Sequence, residues 1–108
     1  MEAFEVCDLD RQRAEAGKLY LEFLRLPAMS VGLYILPPGG VDGQQPHTED
    51  EVYYVISGRA VVRVGDEDRA VQPGSIVFAP PGISHRFHSI TEELRLLVLF
   101  APAEGTAM

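Results

Sequence analysis

The chain has 108 residues, 46% of them hydrophobic, with nine basic against sixteen acidic side chains and a formal charge of −7 at pH 7. That length and apolar content suit one folded domain with a modest core and exclude wholesale disorder. The acidity opposes phosphate backbones and anionic membrane surfaces, so neither nucleic acid nor a membrane is an expected partner.

A lone cysteine, Cys7, excludes an internal disulfide. Neither a signal peptide nor an apolar run of about 20 residues is visible, so a soluble, cytoplasmic protein is expected.

At the N-terminus, Phe4 to Val6 has the composition of a short strand. Asp8 to Ala16 reads as a helix with Asp8 as its N-cap and Gly17 at its end. Leu9 is its only large apolar residue, so residues 1–17 form a peripheral arm.

From residue 18 the pattern becomes strand-like, and residues 18–101 read as a barrel. LYLEFLRL and MSVGLYIL flank Pro27, and the Pro37 to Gly40 cluster ends the pair. Both segments are apolar on both parities, as strands are when a barrel covers one side and a partner subunit the other, although periodicity alone leaves a buried helix open. A homodimer is the expectation that follows.

Val52 to Ile56 is a β-branched and aromatic run. Arg59 to Val64 alternates, with Ala60, Val62 and Val64 on one face and Arg59, Val61 and Arg63 on the solvated other. Arg69 to Gln72, Ser75 to Ala79, His85 to Ser89 and Leu94 to Ala101 follow between turn signals, and residues 102–108 read as a loose tail. Eight or nine short strands at this spacing predict an all-β sandwich or barrel.

The chemistry concentrates in QPHTEDEVYYVISG, residues 45–58. On one straight strand His47 and Glu51 would stand roughly 13 Å apart, too far to share an ion. Thr48, Glu49 and Asp50 are turn-compatible and predict a tight connection that returns Glu51 to His47. Glu51, directly before the apolar run, is the better carboxylate donor than Glu49 or Asp50 at the turn tip.

His85, on a later strand, is the second imidazole. Alternation puts Phe87 on its face and His88 on the other, so His88 is only a rival ligand that a bulge would have to rotate inward. Gln45 offers an amide oxygen as a fourth ligand or as a hydrogen bonder behind the ligands. Two imidazoles and one carboxylate suit a divalent transition metal with open positions. Tyr53 shares Glu51's face, as core filler or, with Glu51, as a proton carrier. Phe78 and Phe87 are expected as inward apolar wall.

In this spacing the sequence resembles the cupin superfamily. Gly39, Gln45, His47, Glu51 and Gly58 fall on the first cupin motif, and Gly74, Pro80, Gly82 and His85 on the second. Two positions depart: Gln45 replaces the first histidine, and Ser89 the terminal asparagine.

The resemblance implies an all-β, single-domain cupin-type jelly-roll barrel with a short N-terminal helical segment, commonly dimeric. It implies one divalent transition metal ion per chain (Fe, Mn, Ni, Cu or Zn) held by Gln45, His47, Glu51 and His85. The implied function is that of a metal-dependent enzyme on a small organic substrate, of oxygenase, isomerase or lyase type. The alternative is a non-catalytic cupin that binds a sugar or metabolite. Gly58, Gly74 and Gly82 are read as tight-turn residues.

Overall fold

A computed structural model of the chain describes residues 1–43 and 46–106. One helix, α1 (Val6–Glu15), precedes six strands: β1 (Tyr20–Leu26), β2 (Met29–Leu36), β3 (Asp50–Val64), β4 (Glu67–Val71), β5 (Ile76–Ala79) and β6 (His85–Ala101). All pairings are antiparallel, in the order β1-β2-β6-β3-β4 with β5 on β3. This is the expected jelly-roll β fold.

The eight separate strands of the sequence reading become six because two pairs are continuous. Val52 to Ile56 and Arg59 to Val64 both belong to β3, and His85 to Ser89 joins Leu94 to Ala101 in β6.

In both long strands the inward parity changes partway. In β3 it passes from Glu51, Tyr53 and Val55 to Ala60 and Val62, and in β6 from His85 and Phe87 to Ile90, Leu94 and Leu96. The β3–β6 register shifts between Val55 and Val61, and Ser89 on β6 has φ 52°. Bulges of this kind bend a strand and let it pass from one wall of a barrel to the other. Gly58 therefore lies within a bent strand and not, as expected, in a tight turn. Its φ is +98°, and a Cβ there would stand 2.2 Å from the Glu93 carbonyl oxygen.

The double-sided burial of β2 has an internal explanation. Tyr34 and Leu36 face the barrel core, while Leu33 and Ile35 pack beneath Leu9 of α1. The helix thus covers an outer face that the sequence assigned to a partner subunit. It begins at Val6 with Glu5 as its N-cap, so Phe4 to Val6 is not a strand and Asp8 is not the cap. Asp10 of α1 meets both Arg13 and Arg95 of β6, which ties the helix to the barrel.

Residues 102–106 are not loose. Ala103 is wholly buried, its amide donates to the Pro27 carbonyl, and the Glu104 amide donates to Ser30 Oγ. Phe78 also departs from expectation: the β5 register sets Ala79 opposite Glu51, so Ala79 points inward and Phe78 is 54% exposed.

Candidate metal centre

His47, Glu51 and His85 converge. One donor atom from each lies within 4.8 Å of the others. Thr48 and Glu49 form the bend expected between His47 and the start of β3, and the Gly82 amide donates to the His47 carbonyl at 2.7 Å. That bond fastens the segment carrying His47 to the turn that leads into His85. Glu49, assigned to an exposed turn tip, is instead buried and accepts a hydrogen bond from Thr48 Oγ1.

The imidazole of His85 has one tautomeric role fixed. Nδ1 lies 3.0 Å from the Ile83 carbonyl, which can only accept, so Nδ1 carries the hydrogen. Nε2 is then left facing Glu51 Oε1 at 2.8 Å, with both side chains almost wholly buried. The contact lacks hydrogen-bond alignment, and Nε2 and both Glu51 oxygens have no hydrogen-bond partner among the described residues. Burial disfavours the charged imidazolium, but Glu51, the Ile83 carbonyl and Asp42 outweigh it and raise the pKa of His85.

A buried carboxylate and a buried imidazole nitrogen, both unsatisfied and aimed at one point, are costly without a cation between them. The donor set therefore fits a divalent transition metal. His47 completes the set from a less buried position, its ring edge-to-face with Phe100 at 4.9 Å between centroids. Gln45, expected as a fourth donor, lies outside the described residues. His88 turns outward to Asp68, 2.8 Å away, and takes no part in the cluster.

Tyr53 is wholly buried, edge-to-face with Phe87 at 4.9 Å, and its ring centroid lies 6.0 Å from that of His85. Phe87 is inward, as expected.

Beside the cluster opens a cavity of about 490 Å³, within the usual range for small-molecule sites. Of the three clustered residues only His47 is on its wall, which also includes Tyr20, Tyr34, Val98, Phe100 and Glu104. Glu104 Oε2 stands 4.0 Å from His47 Nδ1. Burial, with Glu22, Glu51 and Glu49 adding to it and His47 opposing, raises the pKa of the Glu104 carboxyl.

Sequence reasoning missed Tyr20, Tyr34, Asp42 and Glu104. Tyr20 lies across Gly32, where a Cβ would meet the phenol ring at 2.2 Å, and its buried hydroxyl has no hydrogen-bond partner among the described residues. Burial and, after it, nearby carboxylates push both tyrosine hydroxyls well above the usual phenol pKa. Buried Asp42 accepts from the Tyr34 hydroxyl and from the Phe87 amide, each at 2.9 Å. Gly32 is paired with Glu22 and lies diagonal to Tyr20, a relation that becomes legible only once the β1–β2 register is known.

The comparisons agree with this architecture. Residues 32–101 match the family model described as Cupin domain. An uncharacterized protein of Streptomyces coelicolor is 51% identical over 105 residues, covering 97% of this chain and all of that one. The crystal structure of the Thermus thermophilus protein TT1209 superposes with a TM-score of 0.78 at 34% identity, over 95% of this chain and 99% of that chain. An RmlC-like cupin from Shewanella frigidimarina superposes with a TM-score of 0.72 at 20% identity, over 78% and 75% of the two chains, and bears on the fold alone. The chain belongs to the cupin family.

Proposed function

We propose that the protein is a metal-dependent cupin enzyme acting on a small organic molecule bound in the cavity beside His47. The unsatisfied, buried pair of Glu51 and His85 carries this reading. His47, Glu51 and His85 would hold one divalent transition metal ion, with Gln45 as an assisting donor. Such an ion supplies Lewis acidity toward a carbonyl, hydroxyl or enol oxygen of the substrate, in isomerase, lyase or oxygenase chemistry.

The chain's own residues do the rest. Ile83 and Asp42 orient His85 and Phe87, the aromatic wall excludes water, and Tyr53 packs behind the cluster. Glu51, as a ligand, is committed to charge neutralisation and not to proton transfer. The groups that meet a substrate directly are His47, Tyr20 and Glu104.

The test is a fragment screen by proton NMR on cobalt-loaded protein. Ligand resonances broadened by the paramagnetic ion, and restored in His85→Ala, are the expected result. Binders indifferent to both the ion and the substitution would contradict the metal-dependent reading.

A second reading, a non-catalytic binder of a small metabolite, is favoured by Gln45, a neutral oxygen donor where the family motif has a histidine. It requires that ligand affinity survive His47→Ala, which the enzyme reading does not.

A homodimer also belongs to this proposal, and a cytoplasmic location accords with the free, exposed Cys7. Tyr54, Ile76 and Phe78 stand exposed on one outer face of β3 and β5, the kind of apolar patch a second copy would cover. Light scattering should give twice the chain mass, reduced to one chain mass in Phe78→Glu.

A further inference from the structure

We infer that Ser89, His88 and Asp68 form a second, metal-independent site on the outside of the barrel, one that hydrolyses small polar carboxylic esters. It uses none of the residues assigned to the ion, and the cavity it opens onto shares no lining residue with the one beside His47.

The three side chains form one hydrogen-bonded line. His88 Nε2 stands 2.8 Å from Asp68 Oδ1, and His88 Nδ1 stands 3.0 Å from Ser89 Oγ. Asp68 also accepts from Arg63 through Oδ2 at 2.7 Å. The bond from His88, and after it the charge of Arg63, hold this carboxyl below its usual pKa, so it is ionised and can only accept. The hydrogen of the neutral imidazole then sits on Nε2, and Nδ1 presents its lone pair to the Ser89 hydroxyl. Nucleophile, general base and orienting carboxylate stand in this relation in serine acyl transfer.

The backbone serves the same arrangement. Pairing of β6 with β3 passes from His88 opposite Val61 to Glu92 opposite Arg59, so Ser89, Ile90 and Thr91 face Ala60 alone. In this bulge Ser89 stands exposed at φ 52°, and among the described residues no other non-glycine has a positive φ. Such a conformation is costly and persists where the surroundings impose it, as they do on many active-site residues. Ser89 opens onto a cavity of about 420 Å³ whose wall also includes Arg59, Arg69, Gln72, Ser75 and Thr91. Gln72 and Glu92 hold Arg59 in place. Arginines on that wall supply the positive charge a developing oxyanion needs, and the amide and hydroxyl groups suit a polar acyl portion.

In the reaction Ser89 Oγ attacks the ester carbonyl carbon, its proton passes to His88 Nδ1, and the carbonyl π pair moves onto the oxygen. Collapse expels the alkoxide, which leaves as the alcohol with the proton from Nδ1. Water then attacks the acyl carbon in the same way, its proton going to Nδ1 and on to the departing Ser89 oxygen, which frees the carboxylic acid. Asp68 touches no reacting atom; it holds the ring in the required tautomer and stabilises the imidazolium.

The test is hydrolysis of p-nitrophenyl acetate by the full chain, with and without a chelator, joined to peptide mass spectrometry after treatment with a fluorophosphonate. Turnover indifferent to the chelator, with the phosphonyl group on Ser89, is expected. The rate should fall about a hundredfold in His88→Asn and to background in Ser89→Gly, a variant whose backbone accepts the positive φ without strain. Asp68 is read by the nitrogen-15 shifts of the His88 ring, which should report hydrogen on Nε2 in the wild type and a move toward Nδ1 in Asp68→Asn. Turnover no faster than with free histidine, turnover that survives Ser89→Gly, a phosphonyl group only on other residues, or a wild-type His88 with its hydrogen on Nδ1 would overturn the inference. Loss of turnover on chelation would also overturn it, by assigning the reaction to the metal centre.

Discussion

His85 Nε2 and Glu51 Oε1 stand 2.8 Å apart, both buried, and neither has a hydrogen-bond partner among the described residues. Because Nδ1 of the same ring is committed to the Ile83 carbonyl, Nε2 reaches the carboxylate as a bare lone pair unless a proton or a cation intervenes. The arrangement is one that a metal ion stabilises, and the same carboxylate raises the pKa of His85.

A pH dependence follows for the metal-free protein. The folded pKa of His85 is raised above 6.5, so its stabilising contribution is complete below the unfolded value and is lost as pH rises through the higher folded one. As pH rises from the unfolded value through the higher folded one, the urea midpoint of the metal-free wild type should fall relative to that of His85→Gln. Parallel midpoints would show that the pair does not hold a proton. Metal uptake should run in the opposite sense, improving as the competing proton leaves.

Gly58→Ala should be among the most damaging single-methyl additions available. The new Cβ would collide with the Glu93 carbonyl at 2.2 Å, on a backbone with φ +98°. A loss of about 3 kcal/mol or more in equilibrium unfolding is expected; a loss under about 1 kcal/mol would mean that β3 and β6 cross elsewhere.

Asp42→Ala removes the shared acceptor of the Tyr34 hydroxyl and the Phe87 amide. Two buried donors left unpaired should cost about 2 to 5 kcal/mol, whereas Tyr34→Phe, which removes one donor together with its need, should cost about 1 kcal/mol. Similar losses in the two variants would assign Asp42 no role beyond Tyr34.

Gly32→Ala tests the placement of Tyr20. The added methyl meets the far end of a side chain, not backbone, so a loss of about 1 to 3 kcal/mol is expected, and Tyr20→Ala in the same chain should recover most of it. Additive losses in the double variant would contradict the contact.

Much of this fold was legible because alternation and turn residues are local signals. His47 and Glu51 could be paired from spacing once the bend at Thr48 to Asp50 was inferred, His85 joined them through its place in the second cupin motif, and the structure brings those three together. The errors share a cause in register and coverage, which are not local. Val52 to Ile56 and Arg59 to Val64 looked like separate strands because the inward parity changes between Val55 and Ala60 of a single one. The size of Phe78 suits an inward position, yet the pairing of β5 with β3 gives that position to Ala79. The apolar outer face of β2 suggests a partner subunit because α1, with Leu9 as its one buried residue, is mostly polar, yet it is α1 that covers that face. Glu104 lies over fifty residues from His47 in a segment without strand pattern, and nothing in the local sequence marks their approach.

The most direct measurement is metal content per chain by elemental analysis, on protein purified without an affinity tag or chelator, for the wild type and for His85→Ala with its fold checked by circular dichroism. A near-stoichiometric transition metal in the wild type, lost in the folded variant, is the expected result. A folded wild type that takes up no metal even after reconstitution, or a variant that keeps its metal, would contradict a centre built on His47, Glu51 and His85.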